Sequence, residues 1–157
     1  MDSQQIAIIG KHILIADLIA GDMEVAEPPR DRGIDLIAFR DRTVGGSFWA
    51  CPIQLKTATD AVFGLDNKYA HFPGLRIVFV WHTKEPSKAQ IFALTYDEAL
   101  SILAKMKYDL TDSWKDGKYT TTRPSEKLKK ILVEEFLVSA PSQWAYRLGM
   151  SNPGPIS

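Results

Sequence analysis

The chain has 157 residues, of which 45% are hydrophobic and 24% are charged, values that are ordinary for one globular domain. Its 19 basic and 19 acidic residues balance. This excludes the strongly basic class of histone-like proteins and polybasic membrane binders, but it leaves a local phosphate-binding patch open. The single cysteine, Cys51, excludes an intramolecular disulfide and any zinc site built from several cysteines.

The apolar N-terminal segment is predicted to be a largely buried helix. Apolar residues recur at every third or fourth position over residues 4–20. Lys11, His12 and Asp17 interrupt this segment, and no basic residues precede it. It therefore lacks the pattern of a secretory signal or of a membrane span. We expect a cytoplasmic protein with no membrane partner.

Five strands and two further helices are predicted after this helix. The strand candidates are short segments rich in branched apolar residues and bounded by turn residues, namely 23–26, 33–40, 48–57, 75–81 and 90–94. Pro52 predicts that its strand is bulged or partly at a sheet edge at that point. Thr95 and Glu98 have the spacing of a capping box, which predicts a helix to about residue 106. A second amphipathic helix is predicted over about 125–138.

This order of elements predicts the α/β class, with a single-domain mixed β-sheet flanked by helices. We place the domain over residues 1–140 and a C-terminal tail over 141–157. The tail carries Trp144 and Met150, which pack either on the same domain or on a second subunit.

Three polar side chains are predicted to lie together on the hairpin formed by strands 33–40 and 48–57. Alternate side chains of a strand share a face, so Gln54 and Lys56 face one side and their apolar neighbours the other. A register that buries the apolar residues of both strands places Asp35 beside them. A carboxylate and an amide oxygen are ligands for a hard divalent cation, and an ammonium stabilises developing phosphate charge.

The pattern R-G-I-D-L-I-A, followed after fifteen residues by Q-L-K, resembles the core of the PD-(D/E)XK nuclease superfamily. This superfamily includes restriction endonucleases and archaeal Holliday-junction resolvases. The resemblance implies a restriction-endonuclease-like core and a metal-dependent nuclease that hydrolyses DNA phosphodiesters with Mg²⁺ or Mn²⁺. It also implies that Asp35 and Gln54, with the Leu55 carbonyl, hold the metal, and that Lys56 orients the attacking water or stabilises charge.

The sequence departs from the family pattern in two respects. Gln54 stands at the usually acidic position of the second motif, and the first helix reads Gly-Lys-His where the resemblance implies a glutamate. Asp17 or Glu27 are candidate substitutes for that acid. With Asp35 as the one certain carboxylate, a one-metal site is favoured over a two-metal site.

Alternative functions remain open on the sequence alone. A catalytically impaired module of the same fold would bind nucleic acid or protein without cleaving it. An unrelated α/β protein would use Asp35 to cap a turn, and its Lys56 and Gln54 would be ordinary surface residues.

Basic residues around the hairpin are candidates for phosphate contact. Arg32, Arg42 and Lys68 are the predicted nucleic-acid-binding residues, and Arg30 and Arg40 belong to the same cluster. Cleavage of both strands of a duplex or a junction requires two active sites, so we also predict a homodimer.

Overall fold

Two β-sheets and five α-helices make up the computed structural model, which describes residues 1–40 and 48–150. The helices are α1 (Ser3–Ala20), α2 (Tyr96–Lys105), α3 (Asp112–Lys115), α4 (Glu126–Glu135) and α5 (Trp144–Arg147). The strands are β1 (Glu24–Ala26), β2 (Leu36–Arg40), β3 (Trp49–Thr57), β4 (Phe63–Asp66), β5 (Arg76–Trp81), β6 (Gln90–Thr95) and β7 (Lys118–Thr121).

The larger sheet contains the five predicted strands in the order β1-β2-β3-β5-β6. Strands β3 and β5 run parallel, and the other neighbouring pairs are antiparallel. The predicted mixed α/β class, with helices flanking a mixed sheet, is therefore confirmed. The smaller antiparallel sheet of β4 and β7 was not predicted.

Helix α1 covers one face of the larger sheet. It begins with a reciprocal capping box, in which the Gln5 N–H donates to Asp2 and the Asp2 N–H donates to the Gln5 side chain. Its buried residues Leu14 and Leu18 pack with Ile53 in one core cluster. Among the described residues, no helix is long and apolar enough to span a membrane.

The opposite face of the sheet is covered by α2 and α4. Ile77, Phe79 and Phe92 point to this side and form a second core cluster with Ala99 of α2 and Leu128 of α4. The predicted capping box of α2 is present, with Thr95 and Glu98 each accepting a backbone N–H of the other. The alternation of the strands therefore divides the interior into two cores.

Part of the predicted tail packs on its own domain. Trp144 is fully buried in the core beneath α1, and its indole N–H donates to the Asp17 carboxylate over 2.6 Å. Leu148 and Met150 lie in the same cluster. Tyr146 is instead 79% exposed. Residues 151–157 lie outside the described residues.

Pro52 lies where β3 is partly an edge strand. The register with β2 is unbroken, with Ile37 opposite Pro52, so the strand contains no bulge there. Pairing with β5 begins one residue later, at Ile53. The missing N–H of proline therefore interrupts no ladder on the β5 side, as the partial-edge alternative predicted.

We predict that Gly10→Ala will destabilise the protein although alanine is the better helix former. A Cβ at Gly10 would collide with the Thr57 methyl group on β3, so the helix would have to move away from the sheet. We expect a loss of about 1–3 kcal/mol in the free energy of unfolding, measured with urea. Thr57→Ser removes the colliding methyl but keeps the Thr57 Cβ, which would lie 2.8 Å from the new Cβ, so the double variant should recover part of the loss. A more stable Gly10→Ala protein would contradict this packing.

Candidate active site

Asp35 lies at the point where β2 separates from β3. Its N–H donates to the Ile53 carbonyl over 2.8 Å, and β2 begins at the next residue. The register that pairs Leu36 with Ile53 places Asp35 opposite Gln54, as predicted. Gly33, with φ +90°, turns the chain away immediately before this point. The predicted strand 33–40 is therefore shorter than expected and starts just after the carboxylate.

The Asp35 carboxylate is bonded to the neighbouring strand. Its Oδ2 accepts the Leu55 N–H over 2.7 Å and the Gln54 Nε2 over 3.3 Å. Because the N–H and C=O of a strand residue point to the same side, the Leu55 carbonyl also faces this edge. The structure thus brings Asp35, Gln54 and the Leu55 backbone together.

The Gln54 side chain is left with an unsatisfied oxygen. Its Oε1 is buried and accepts no hydrogen bond from the described residues. A buried carbonyl oxygen without a donor lowers the stability of the fold, because it has lost its hydrogen bonds to water and has formed none within the protein. Its Nε2 faces the Asp35 carboxylate, so the amide is oriented by that charge. The oxygen is therefore available for a cation or an incoming donor.

Lys56 lies on the same strand face as Gln54, but it does not form an ion pair with Asp35 among the described residues. Burial lowers the pKa of Lys56. The charge that most opposes this effect belongs to Asp66 at the end of β4, while Lys118 and Lys68 lower the pKa further. The acid that most favours the charged form of Lys56 is therefore one that the sequence analysis did not single out.

A second lysine reaches Asp35 from the opposite side of β3. Lys11 of α1 shares with it a cavity of about 170 Å³, lined by Ala7, Ile8, Lys11, Asp35, Leu55 and Thr57. Lys11 also forms an ion pair with Glu27 over 3.5 Å. Lys11 on α1 and Lys56 on β3 therefore belong to elements on different sides of Asp35, and the charges of both favour its ionised form.

Burial raises the pKa of Asp35, and this is the largest influence on the group. The Leu55 N–H opposes the rise, as do the charges of Lys11 and, more weakly, Lys56. The nearby Asp31 raises the pKa further. Ionisation of Asp35 in the folded protein therefore lowers the free energy of unfolding.

Neither candidate for the missing acid is a free carboxylate at the site. The Asp17 carboxylate is hydrogen-bonded to the Trp144 indole. Glu27 is paired with Lys11, the residue in the stretch where the resemblance implies a glutamate. Within the described ranges, no group of three or more His, Cys, Asp or Glu side chains could hold a metal ion.

The predicted basic residues have different surroundings. Arg32 is exposed just before Asp35. Lys68 forms an ion pair with Asp66 over 3.8 Å and lies 5.3 Å from the centre of the Tyr69 ring. Arg40 instead donates to the carbonyls of Gly21 and Asp22 at the end of α1, so it holds the helix to β2 and does not belong to a phosphate-contacting cluster. Arg42 lies outside the described residues.

Comparison with protein-family models, with curated proteins and with solved structures found no match to this chain.

We predict that Asp35→Asn will stabilise the protein at neutral pH. A carboxyl whose pKa is raised by folding contributes most to stability below its unfolded pKa of about 3.9, and this contribution is lost as pH rises through the folded pKa. Asparagine keeps an acceptor for the Leu55 N–H and carries no charge. The melting temperature of the variant should therefore exceed that of the wild type near pH 7, and the difference should vanish at low pH.

The exposed Asp116 supplies the control for this measurement. Asp116→Asn should leave the melting temperature almost unchanged across the same pH range, since surface substitutions have small effects. An Asp35→Asn variant that is less stable than the wild type at pH 7 would show that the ionised carboxylate is a structural requirement.

Proposed function

We propose that this chain is a metal-dependent nuclease that hydrolyses DNA phosphodiesters. The observation that carries the proposal is the buried, unsatisfied Oε1 of Gln54, whose Nε2 contacts the ionisable Asp35. The order of α1, the β2–β3 hairpin and the parallel strand β5 agrees with the order that the resemblance implies. Together these features support a cation site on the hairpin with lysines placed for a phosphate.

The donor set fits one hard divalent cation. Asp35 would supply one carboxylate, and Leu55 a backbone carbonyl that faces the same edge. Gln54 would supply its amide oxygen once the amide turns so that Oε1, in place of Nε2, faces Asp35. Mg²⁺ is bound in proteins by one or two carboxylates, with water and substrate oxygens completing the shell. A second cation would need a further carboxylate, but the stretch of α1 where the resemblance implies a glutamate carries the Lys11 ammonium. We therefore propose a one-metal site.

A bound divalent cation would lower the pKa of a coordinated water and offset the negative charge of the phosphodiester. The protein's own residues supply the remaining interactions. Lys56, on the strand face of Gln54, would stabilise the charge that develops on the phosphate. Lys11 offers a second ammonium from the side of α1, and the Leu55 N–H holds the Asp35 carboxylate in position.

A catalytically impaired module of the same fold is the second candidate. It is favoured by the single carboxylate of the site, since Glu27 is paired with Lys11 and Asp17 with Trp144. Such a module would bind nucleic acid or protein with the same surface but would release no product. Cleavage assays with matched variants separate the two candidates.

We predict that Asp35→Ala and Lys56→Ala each reduce cleavage of plasmid and branched DNA, in Mg²⁺ or Mn²⁺, by roughly 10²–10³-fold. Lys56→Ala should unfold at no lower temperature than the wild type, because burial already disfavours its charge. Lys130→Ala is the matched control, since this lysine pairs with Glu134 on the exposed side of α4. Wild-type protein that binds DNA but cleaves neither substrate would favour the impaired module.

We also predict that Gln54→Glu will increase the stabilisation that Mg²⁺ confers. Without metal, a second carboxylate facing Asp35 should lower the melting temperature, because two half-buried like charges repel each other. With metal, both carboxylates are ligands, so the Mg²⁺-dependent rise in melting temperature should exceed that of the wild type. Gln4→Glu, at the exposed start of α1, is the control. Equal Mg²⁺ responses in all three proteins would contradict a cation site at Gln54.

A further inference from the structure

A second cavity, of about 300 Å³, opens where β5 begins and β6 ends. Its lining combines three aromatic side chains with polar groups, and the residues that matter for its chemistry are Tyr69, Phe72, Arg76, Thr95, Tyr96 and Asp97. The volume lies at the lower end of the range of small-ligand sites. This cavity is separate from the one that Lys11 shares with Asp35.

The cavity is next to the candidate active site. Gln54 is paired with Ile77 across β3 and β5, and the cavity residue Leu75 stands two residues before Ile77. From the spacing of strands and of residues along them, Gln54 and Leu75 are about 8 Å apart at their Cα atoms. One nucleotide spans such a distance.

An aromatic pair joins the cavity to the turn that carries Asp35. Tyr69 and Phe72 have ring centres 6.2 Å apart, and a Cβ at Gly33 would lie 3.3 Å from the Tyr69 ring. The turn before Asp35 therefore packs directly on these two rings, which together form the aromatic wall of the cavity. The charge of Asp66, the main counter-charge of Lys56, also raises the pKa of both Tyr69 and Tyr96, which places Asp66 beside the same wall.

The lining of the cavity suits a flat ligand with polar edges. Phe72 and Tyr96 are half-buried, so each keeps part of a ring accessible. Arg76 is held in place by the Arg147 and Gly74 carbonyls, and its guanidinium has further N–H donors. The exposed Asp97 adds an acceptor at the rim. Aromatic faces with a few donors and acceptors are the means by which proteins bind unstacked bases.

We propose that this cavity binds an unpaired nucleobase adjacent to the phosphodiester at Asp35 and Lys56. The substrate class is then DNA with at least one unpaired nucleotide at the cleavage position, such as a flap or a junction. This inference rests on the proposed function for the phosphodiester, but the binding of the base is measurable without cleavage. A fully paired duplex would have to release a base before it could occupy the cavity.

The test uses the full chain and a single-stranded decamer that carries 2-aminopurine at successive positions. Stacking on an aromatic side chain quenches 2-aminopurine fluorescence, and we expect strong quenching at one position. Phe72→Ala and Tyr96→Ala should each weaken decamer binding about 10- to 100-fold. Tyr96→Phe should retain it, because the ring is kept. Tyr146→Ala, which removes a highly exposed ring from α5, should have no effect.

Two further arms separate the possible results. In the first, free 2-aminopurine deoxyriboside should compete only weakly with the decamer for the cavity. Effective competition at a concentration equal to that of the decamer would overturn strand binding in favour of a free-nucleotide site. In the second, a flap substrate should be cleaved faster than a paired duplex, and Phe72→Ala should remove the difference.

The failure of this inference is distinguishable from that of the proposed function. The base-binding cavity would be overturned if flap and duplex were cleaved at equal rates, if Phe72→Ala left these rates unchanged and if no quenching were seen. The nuclease proposal would be unaffected by that result. The opposite result is quenching that depends on Phe72 and Tyr96 but no hydrolysis that depends on Asp35. It would support the base-binding cavity and contradict the nuclease proposal.

Discussion

The site depends on one hydrogen bond, from the Leu55 N–H to the Asp35 carboxylate. Strand β2 begins to pair with β3 at Leu36, opposite Ile53, whereas β3 continues to Thr57. The end of β3 therefore has an edge that no backbone strand covers, and the carboxylate supplies the acceptor that the ladder lacks. The same separation of strands leaves room for α1 on one side and for the aromatic wall on the other. Without the turn at Gly33, β2 would run on and close this opening.

Several groups at this opening are held in unfavourable states, as are the buried Nε of Arg147 and the Asp17 carboxyl, whose pKa is raised by burial. Burial shifts the pKa of Asp35 and that of Lys56 in the directions that disfavour charge, and the Gln54 oxygen has no donor. Elsewhere two apolar clusters fill both faces of the sheet. Proteins accept such local costs where function requires them, since a sequence selected for stability alone would neutralise these groups. The occurrence of three such costs on neighbouring residues, Asp35, Gln54 and Lys56, thus supports the proposed site.

The sequence predicted the features that arise from local patterns. Branched apolar segments located the five strands of the main sheet, and the alternation of side chains placed Asp35 opposite Gln54. Long-range contacts could not be obtained in this way. The bond between Trp144 and Asp17 joins residues 127 positions apart, and β4 and β7 are four-residue strands without a clear apolar alternation. The sequence pattern indicated Lys11 only as a departure from the family motif. No sequence feature linked Asp66 to Lys56.

The position of Lys11 changes what the site requires. In a two-cation site, extra carboxylates hold the second ion, and the two ions together neutralise the phosphate. Here the charges of Lys11 on α1 and, more weakly, of Lys56 on β3 both favour the ionised form of Asp35, so positive charge is already built into the protein. A second ion would be repelled by Lys11, whereas a single ion at Asp35 and Gln54 would act together with both lysines. In this proposal Glu27 is not a ligand, because its carboxylate pairs with the Lys11 ammonium.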